Sequence, residues 1–245
     1  MSTRTAIVTG ASRGFGRATA IALVKAGVHV IGVARDRERL DAVRGEAGEE
    51  FTPVAADAAD PVTAGRLIDT NHPDILVLNA GAQPLLRPLH KYSWETFSSN
   101  WEVDVRHVFN WTREALLAPL DRGSVVVAVS SGAALRGSSI GGGYSGAKAT
   151  ILFMTGFAAE ESSREKLGIR FISAVPGLNA GTALGHAAAT AHAQREGVSL
   201  DRFLQRLDPT LTPERVGQEI AALATGSEFD SGAYHVTANG LTPVD

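Results

Sequence analysis

Short apolar runs alternate along the chain with longer segments whose apolar residues recur at helical spacing. Several of these runs are apolar at almost every position, as expected for strands of a parallel sheet that is covered on both faces. Strands that alternate with helices in this way form right-handed βαβ units. The pattern therefore predicts an α/β fold with one doubly wound parallel sheet of about seven strands and helices on both faces. The predicted strands are residues 5–9, 29–34, 51–55, 75–78, 124–129, 170–175 and 234–236.

The predicted helices begin at recognisable capping residues. Asp60 and Thr212 each precede a proline, which suits the first position of a helix, and Ser93 can cap a long helix over residues 93–118. Residues 182–211 are alanine-rich and helical in pattern, yet they interrupt the alternation of strands and helices. We interpret this segment as a substrate lid over the carboxyl edge of the sheet.

Length and composition favour a single domain, residues 1–245, with one large core. The chain is 44% hydrophobic, and its formal net charge is only −3, without a block of like charge. This balance makes nucleic acid and anionic membranes poor partners. The absence of cysteine excludes disulfides and thiolate chemistry. No apolar run is long enough for a signal sequence or a membrane span, so we expect a soluble, cytoplasmic protein.

Tyr144 and Lys148 are the first residues with evident chemistry. They lie four residues apart in a predicted helix and so share one face, while Ser131 follows the predicted strand 124–129. A lysine ammonium stabilises a neighbouring phenolate, so this group can move a proton to or from an alcohol oxygen. In isolation, a tyrosine and a lysine at this spacing are more often a solvated helix face. The catalytic interpretation therefore needs a reaction that the proton transfer accompanies.

A glycine-rich loop after the first predicted strand supplies that reaction. Glycines at positions 10, 14 and 16 allow a tight turn and bring a pyrophosphate close to the first amides of the next helix. Such loops are common after strands, but the strand before and the helix after this one are what a Rossmann-type dinucleotide site requires. The residues predicted to bind the cofactor here are Gly10, Ser12, Arg13, Gly14, Phe15 and Gly16.

The end of the second predicted strand indicates which dinucleotide binds. Ala34 and Arg35 stand where an NAD-binding protein usually has a carboxylate, whereas an arginine can pair with a 2′-phosphate. Arg13 adds a second cation, so we expect NADP(H) to be preferred, with NAD(H) possible. Alternatively, both arginines are only solvated, and Asp36 places a carboxylate one position later. Asp57 either accepts from the adenine amino group or is only a turn residue.

Together these motifs resemble the classical short-chain dehydrogenase/reductase (SDR) family over essentially the whole chain. The resemblance implies that Asn79, Ala80 and Gly81 line the adenosine side of the cofactor and that Pro176 and Gly177 border the nicotinamide. The matching motifs, in order, are the glycine loop, Asp57, Asn79-Ala80-Gly81, Ser131, Tyr144 with Lys148, and Pro176-Gly177.

The resemblance also implies catalytic roles. Tyr144 gives a proton to a carbonyl oxygen as hydride arrives from the nicotinamide, or accepts it in the reverse reaction. Ser131 hydrogen-bonds the same oxygen, and Lys148 binds the nicotinamide ribose and favours the phenolate. We therefore predict an NADP(H)-dependent carbonyl reductase that acts on a ketone or an aldehyde. The alternatives are an NAD-linked alcohol dehydrogenase of the same fold and a nucleotide-binding regulatory protein without turnover.

Two stretches depart from the family pattern. Asp104 stands where the family usually has a catalytic asparagine, whose main-chain carbonyl is thought to hold a water beside the lysine, while Asn100 lies one helical turn earlier. We hypothesise that this proton relay survives and that the aspartate charge changes its pH dependence. Asn179 replaces a branched residue whose backbone contacts the nicotinamide, and Thr182 lies one position late for its cofactor contact.

We expect a small carbonyl or alcohol substrate beyond the carboxyl ends of the strands. Arg136, His186 and His192 could meet a polar or anionic group, but a lone histidine is more often a surface residue or a satisfied interior one, so we do not assign them to the site. No histidine and carboxylate spacing is typical of a metal site. The family resemblance implies a homotetramer or homodimer packed through helices over residues 93–118 and 144–167. The apolar and small residues expected in the segments around the substrate pocket are Leu135, Ile140, Gly141, Gly142, Leu178, Leu184, Phe203 and Leu207.

Overall fold

The computed structural model describes residues 3–207 and 211–244. Residues 1–2, 208–210 and 245, which fall within the predicted domain and partly within the predicted lid, lie outside the described residues. The strands are β1 (Thr5–Thr9), β2 (His29–Ala34), β3 (Phe51–Ala55), β4 (Ile75–Leu78), β5 (Val125–Val129), β6 (Arg170–Pro176), β7 (Gly232–Thr237) and β8 (Gly240–Pro243).

These strands form one sheet in the order β3-β2-β1-β4-β5-β6-β7-β8. Neighbours from β3 to β7 are parallel, and β8 pairs antiparallel with β7 at the edge. The doubly wound sheet predicted from the sequence is confirmed. The eighth strand was not predicted, because Gly240–Pro243 has no apolar run and is held mainly by its pairing with β7.

Helices connect the strands and cover both faces of the sheet. The predicted caps Asp60, Ser93 and Thr212 each accept a backbone N–H in the first turn of a helix. Among the described residues, no helix has both the length and the apolar character needed to cross a membrane. The helices are α1 (Gly14–Lys25), α2 (Arg37–Ala47), α3 (Pro61–Asn71), α4 (Trp94–Asn100), α5 (Arg106–Leu117), α6 (Ala133–Arg136), α7 (Gly143–Arg164), α8 (Ala183–Glu196), α9 (Leu200–Leu204) and α10 (Pro213–Thr225).

Each face of the sheet buries its own apolar layer. Because successive strand residues point to opposite faces, Val8 of β1 packs in the layer formed with α1, α2 and α10, and Ile7 packs in the layer formed with α3, α5 and α7. Trp111 of α5 is fully buried in the second layer, and its indole N–H donates to the Ala58 carbonyl at 2.9 Å. Burial on both faces explains why the strands are apolar at nearly every position.

The long helix predicted over residues 93–118 is interrupted. Between α4 and α5, Trp101–Val105 form a π-helical segment, a local widening that is frequent at functional sites. Asn100 Nδ2 donates to the Ala82 carbonyl at 3.0 Å, and Asp104 Oδ1 accepts from the Ala82 N–H at 2.7 Å. The interruption therefore holds the segment after β4 through both backbone polar groups of Ala82.

The segment after β6 forms α8 and α9 and has a small core of its own. Phe203 packs there with Ala189 and Ala193, surrounded by leucine side chains that include Leu178 and Leu207. This cluster is separate from the two layers of the sheet. The segment therefore packs as a distinct unit at the carboxyl edge, where a substrate lid is expected.

Candidate active site

A cavity of about 1070 Å³ lies at the carboxyl ends of the parallel strands. It brings together nearly all the residues that the sequence predicted for the site, although they are spread over the ends of six strands. Gly16 is the exception, because it packs beneath the glycine loop. The predicted residues that line the cavity are Gly10, Ser12, Arg13, Gly14, Phe15, Arg35, Asp57, Asn79, Ala80, Gly81, Asp104, Ser131, Tyr144, Lys148, Pro176, Gly177 and Asn179.

The glycine loop forms a cradle that larger residues would fill. Gly10 and Gly14 have φ angles of +68° and +54°, which other residues rarely adopt. A Cβ atom on Gly16 would lie 2.3 Å from the Gly10 carbonyl oxygen, so α1 packs directly against the loop. The side chain of Arg13 makes no capping hydrogen bond within the described residues, and the first amides of α1 border the cavity. This cradle fits a dinucleotide pyrophosphate.

Asn79 ties the end of β4 to the glycine loop. Its backbone N–H donates to Thr9 Oγ1 at 2.9 Å, and its Nδ2 donates to the Thr9 carbonyl at 3.1 Å. A Cβ atom on Gly10 would lie 2.7 Å from the same Nδ2. The asparagine side chain therefore occupies the space that the glycine leaves, and it fixes the loop relative to the sheet.

Cationic side chains border the cavity at the end of β2. The arginines that line this part of the cavity are Arg13, Arg35 and Arg39, and the carboxylates are Asp36 and Asp57. Asp36 caps α2 by accepting from the Arg39 N–H at 3.0 Å, and it also pairs with the Arg39 guanidinium at 3.0 Å. Asp57 Oδ1 accepts from the N–H two residues later at 2.9 Å, which is a turn contact. The carboxylate after Arg35 is therefore engaged within its own helix.

Tyr144, Lys148 and Ser131 line the same cavity. Lys148 Nζ lies 5.7 Å from the centre of the Tyr144 ring, one turn away at the start of α7. The lysine is 5% exposed, and its Nζ donates to the Val129 carbonyl at 3.0 Å. Ser131 Oγ accepts from the Ala133 N–H at 3.2 Å at the end of β5. This arrangement can deliver a proton to a bound oxygen and hold a cation beside the phenolate that remains.

Asp104 forms a buried ion pair with Lys148. Its Oδ2 lies 3.5 Å from Lys148 Nζ, and the side chains are only 1% and 6% exposed, respectively. A Cβ atom on Gly81 would lie 2.9 Å from Asp104 Oδ2, so the carboxylate requires a glycine at that position. The residue that departs from the family pattern therefore contacts the lysine directly. Removing either charge alone would leave the other buried without its partner.

His107 belongs to the same buried group and was missed in the sequence. It lines the cavity one turn after Asp104 and is fully buried. Neither ring nitrogen has a hydrogen bond of normal geometry in the part of the chain described. Burial lowers the pKa of His107 to about 3, the charge of Lys148 acts in the same direction, and the Ala80 carbonyl opposes both. The imidazole is therefore neutral near neutral pH.

A signal for His107 is present in the sequence. Asn100, Asp104 and His107 recur at i, i+4 and i+7 and so define one polar face of a helix. Such a face is normally exposed to solvent. Here all three residues are buried against the segment after β4, which only the tertiary structure reveals.

We expect acid to destabilise the protein through His107, and His107→Leu to reduce this effect. A histidine in the unfolded chain binds a proton below about pH 6.5, whereas the folded protein resists protonation of His107 down to about pH 3. Between these values the unfolded state binds more protons, so stability falls as the pH falls. At about pH 5 the loss is about 2 kcal/mol. Urea unfolding of both proteins at several pH values measures it, and identical pH dependence would contradict a buried neutral imidazole.

The part of the cavity that the sequence predicted for the substrate lies between α6, the end of β6 and the predicted lid. Ile140 is only 3% exposed and lies behind the wall, Gly142 packs against Tyr92, and Phe203 packs in the core of the lid against His192. His186 is exposed on α8. These four candidates do not line the described cavity. The candidates that do are Leu135, Arg136, Gly141, Leu178, Leu184, His192 and Leu207.

Asn179 and Thr182 organise the start of the lid. Asn179 Oδ1 accepts from the Gly181 N–H at 2.8 Å, and its carbonyl accepts from Thr182 Oγ1 at 3.1 Å. The Thr182 hydroxyl caps α8 by accepting from the Gly185 N–H at 3.0 Å. Thr182 Cγ2 would be 3.7 Å from a Cβ atom on Gly14. The lid therefore begins beside the glycine loop.

Known proteins share both the sequence pattern and the architecture. A family model described as short chain dehydrogenase matches residues 4–193. An L-xylulose reductase from Mesocricetus auratus is 30% identical over 172 residues, which cover 69% of this chain and 70% of that protein. A probable NADP-dependent dehydrogenase from Haemophilus influenzae is 32% identical over 193 residues, or 74% of each chain.

A solved structure extends the similarity over almost the whole chain. The 3-ketoacyl-(acyl-carrier-protein) reductase from Brucella melitensis, complexed with NADH, has a TM-score of 0.78 and 25% identity, and the match covers 95% of this chain and 96% of that one. The arrangement of strands and helices agrees with this match. The chain therefore belongs to the short-chain dehydrogenase/reductase family of oxidoreductases.

Proposed function

We propose that the protein is an NADP(H)-dependent oxidoreductase that reduces a small ketone or aldehyde to an alcohol. The observation that carries the proposal is that Ser131, Tyr144 and Lys148 share one cavity with the glycine cradle. When bound, the nicotinamide supplies hydride to the carbonyl carbon. The Tyr144 hydroxyl donates its proton to the carbonyl oxygen, and the Ser131 hydroxyl donates a hydrogen bond to the same atom. The Lys148 ammonium stabilises the resulting phenolate.

Purified protein and a panel of carbonyl compounds test this function. The panel should contain neutral ketones, aldehydes and keto acids, because Arg136 and His192 line the substrate end beside leucine side chains. Consumption of NADPH that depends on the carbonyl compound is the expected result. Binding of NADPH without turnover of any compound would instead support a regulatory protein. Turnover only with alcohols and NAD would support the dehydrogenase alternative.

The preference for NADP(H) rests on the cations at the end of β2. Arg13 and Arg35 border the cavity where a 2′-phosphate would lie, and Asp36 is engaged by α2. The relative from Haemophilus influenzae is described as NADP-dependent, whereas the structural neighbour holds NADH. The arginines of this chain are therefore the basis of the proposal.

We expect Arg35→Ala to lower kcat/KM for NADPH about 10- to 150-fold and to change that for NADH by less than about threefold. A charge-assisted hydrogen bond to the 2′-phosphate contributes about 1.5–3 kcal/mol, and NADH lacks that group. Steady-state kinetics with both cofactors measure the effect. Arg44→Ala is the matched control, because Arg44 is exposed on α2 and does not line the described cavity. A wild-type protein that prefers NADH would overturn the assignment.

We also propose that a second copy of the chain packs against α5 and α7. Phe109, Phe153 and Phe157 are 52%, 62% and 63% exposed, and the last two rings stack at 6.4 Å. Adjacent exposed aromatic side chains are typical of a contact surface. A homodimer or homotetramer would remove them from water.

We expect the wild-type protein to be a dimer or tetramer and the double variant Phe153→Glu with Phe157→Glu to be smaller. The two introduced charges would oppose burial of this face. Light scattering measures the mass of both proteins. A wild-type monomer at micromolar concentration would contradict the proposed association.

A further inference from the structure

Unpartnered polar atoms are concentrated behind Lys148. Asp104 Oδ2 and both ring nitrogens of His107 are buried and have no hydrogen bond of normal geometry among the described residues, although Asp104 Oδ2 lies 3.5 Å from Lys148 Nζ and the Ala80 carbonyl is near the imidazole. Among the other described residues, the buried side-chain atoms without a hydrogen bond are isolated hydroxyls and one guanidinium nitrogen. Buried polar groups in folded proteins are nearly always satisfied. Three such atoms within one helical turn therefore indicate a small polar site.

The chemistry of these atoms fits one water molecule. Asp104 Oδ2 accepts hydrogen bonds, while a neutral imidazole has one N–H donor and one acceptor nitrogen. Residues three apart on a helix have Cβ atoms about 5–6 Å from each other, a separation that one water can bridge. A buried water needs two to four polar partners. The Lys148 ammonium, 3.5 Å from Asp104 Oδ2, is an additional donor.

The Lys148 ammonium interacts with two neighbours, the Asp104 carboxylate and the Tyr144 phenol. Its Nζ lies 3.5 Å from Asp104 Oδ2 and 5.7 Å from the centre of the Tyr144 ring. A carboxylate oxygen without another donor attracts the ammonium and offsets its effect on the phenol. A hydrogen bond donated to that oxygen takes up part of the carboxylate charge. It thereby leaves more of the lysine charge to act on Tyr144.

We propose that His107 is a positioning residue: through one buried water it hydrogen-bonds Asp104 Oδ2, the oxygen that faces Lys148, and thereby keeps the Lys148 ammonium available to Tyr144. The inference rests on the proposed reductase function. It gives the imidazole no part in transferring a proton. Packing alone does not account for the residue, because a leucine of similar size would bury no unpartnered nitrogens.

The kinetic test compares His107→Leu with His107→Gln. Leucine removes both polar atoms, whereas glutamine keeps a donor and an acceptor. We expect His107→Leu to lower kcat about tenfold, with KM for substrate and NADPH changed less than about twofold, and His107→Gln to stay within about threefold of wild type. Reduction requires the protonated tyrosine. Weaker stabilisation of the phenolate should therefore move the alkaline limb of the pH-rate profile upward by about one pH unit, the shift that corresponds to a tenfold loss of kcat.

A double-mutant cycle separates this role from packing. With Asp104→Asn no carboxylate competes for the lysine, so His107→Leu should then change kcat less than about twofold. Non-additivity of this kind is the expected result. Equal tenfold losses in both backgrounds, or an unchanged kcat in His107→Leu alone, would overturn the proposal.

A measurement without turnover makes the test independent of the proposed function. In ¹⁵N-histidine-labelled protein, Asp104→Asn should shift the ring nitrogen resonances of His107, while the exposed His186 serves as the internal control. Unchanged His107 resonances would overturn the proposal even if no substrate is found. If wild-type protein binds NADPH but reduces nothing, the reductase function fails and this spectrum alone decides the role of His107.

Discussion

Tyr144→Phe is expected to lower kcat for carbonyl reduction about 1000-fold and to change the NADPH dissociation constant less than about threefold. The substitution removes only the hydroxyl that donates the proton, and general acid catalysis contributes about 100- to 10,000-fold. The aromatic ring stays at the start of α7, where its centre lies 5.7 Å from Lys148 Nζ. Binding by the glycine cradle should therefore survive while turnover is lost. Steady-state assays of NADPH consumption measure kcat, and fluorescence titration measures the NADPH dissociation constant.

Tyr92→Phe is the matched control for the loss of a tyrosine hydroxyl. Tyr92 Oη donates to the Leu85 carbonyl and, at 3.2 Å, is close to the Ile140 carbonyl, outside the described cavity lining. We expect this variant to keep kcat within about threefold and to lose about 1 kcal/mol of stability with one hydrogen bond. If Tyr144→Phe keeps a tenth or more of wild-type activity, Tyr144 is not the proton donor.

The fold could be predicted because its local and global signals agree. The ends of β1 and β2 match the apolar runs, and Asp60 caps α3 as its sequence indicates. The break at Trp101–Val105 could not be predicted in the same way, because Asn100, Asp104 and His107 keep the spacing of one helix face through it. A π-helical segment depends on what the helix packs against, here the backbone N–H and carbonyl of Ala82.

In the candidate site, too, local motifs could be predicted from the sequence, whereas contacts between distant segments could not. The glycine loop and the pair Tyr144 and Lys148 are local motifs, so their spacing alone predicts their chemistry. The ion pair of Asp104 with Lys148 depends on how the π-helical segment meets α7, which no local pattern encodes. Phe203 was wrongly placed at the substrate wall for a related reason: an apolar residue in a lid packs equally well into the core of the lid.

Lys148→Met is expected to lower kcat at least about 100-fold and to reduce the free energy of unfolding by about 3 kcal/mol. The kinetic loss follows from removing the charge that stabilises the Tyr144 phenolate. The loss of stability follows because the Asp104 carboxylate, 1% exposed, is left buried without its partner. Methionine keeps most of the length and the apolar character of the lysine stem, so a cavity contributes little.

Adding Asp104→Asn to Lys148→Met should recover about 2 kcal/mol of stability without recovering activity. Asparagine keeps the oxygen that accepts from the Ala82 N–H, while the unpaired charge is removed. Urea unfolding and kcat are measured for both single variants and the double variant. Asp104→Asn alone should retain turnover and move the alkaline limb of reduction to lower pH, because the lysine then acts on Tyr144 without competition. If the double variant is no more stable than Lys148→Met, the two side chains do not form an ion pair in solution. If it regains turnover, the lysine charge is not required for the proton transfer.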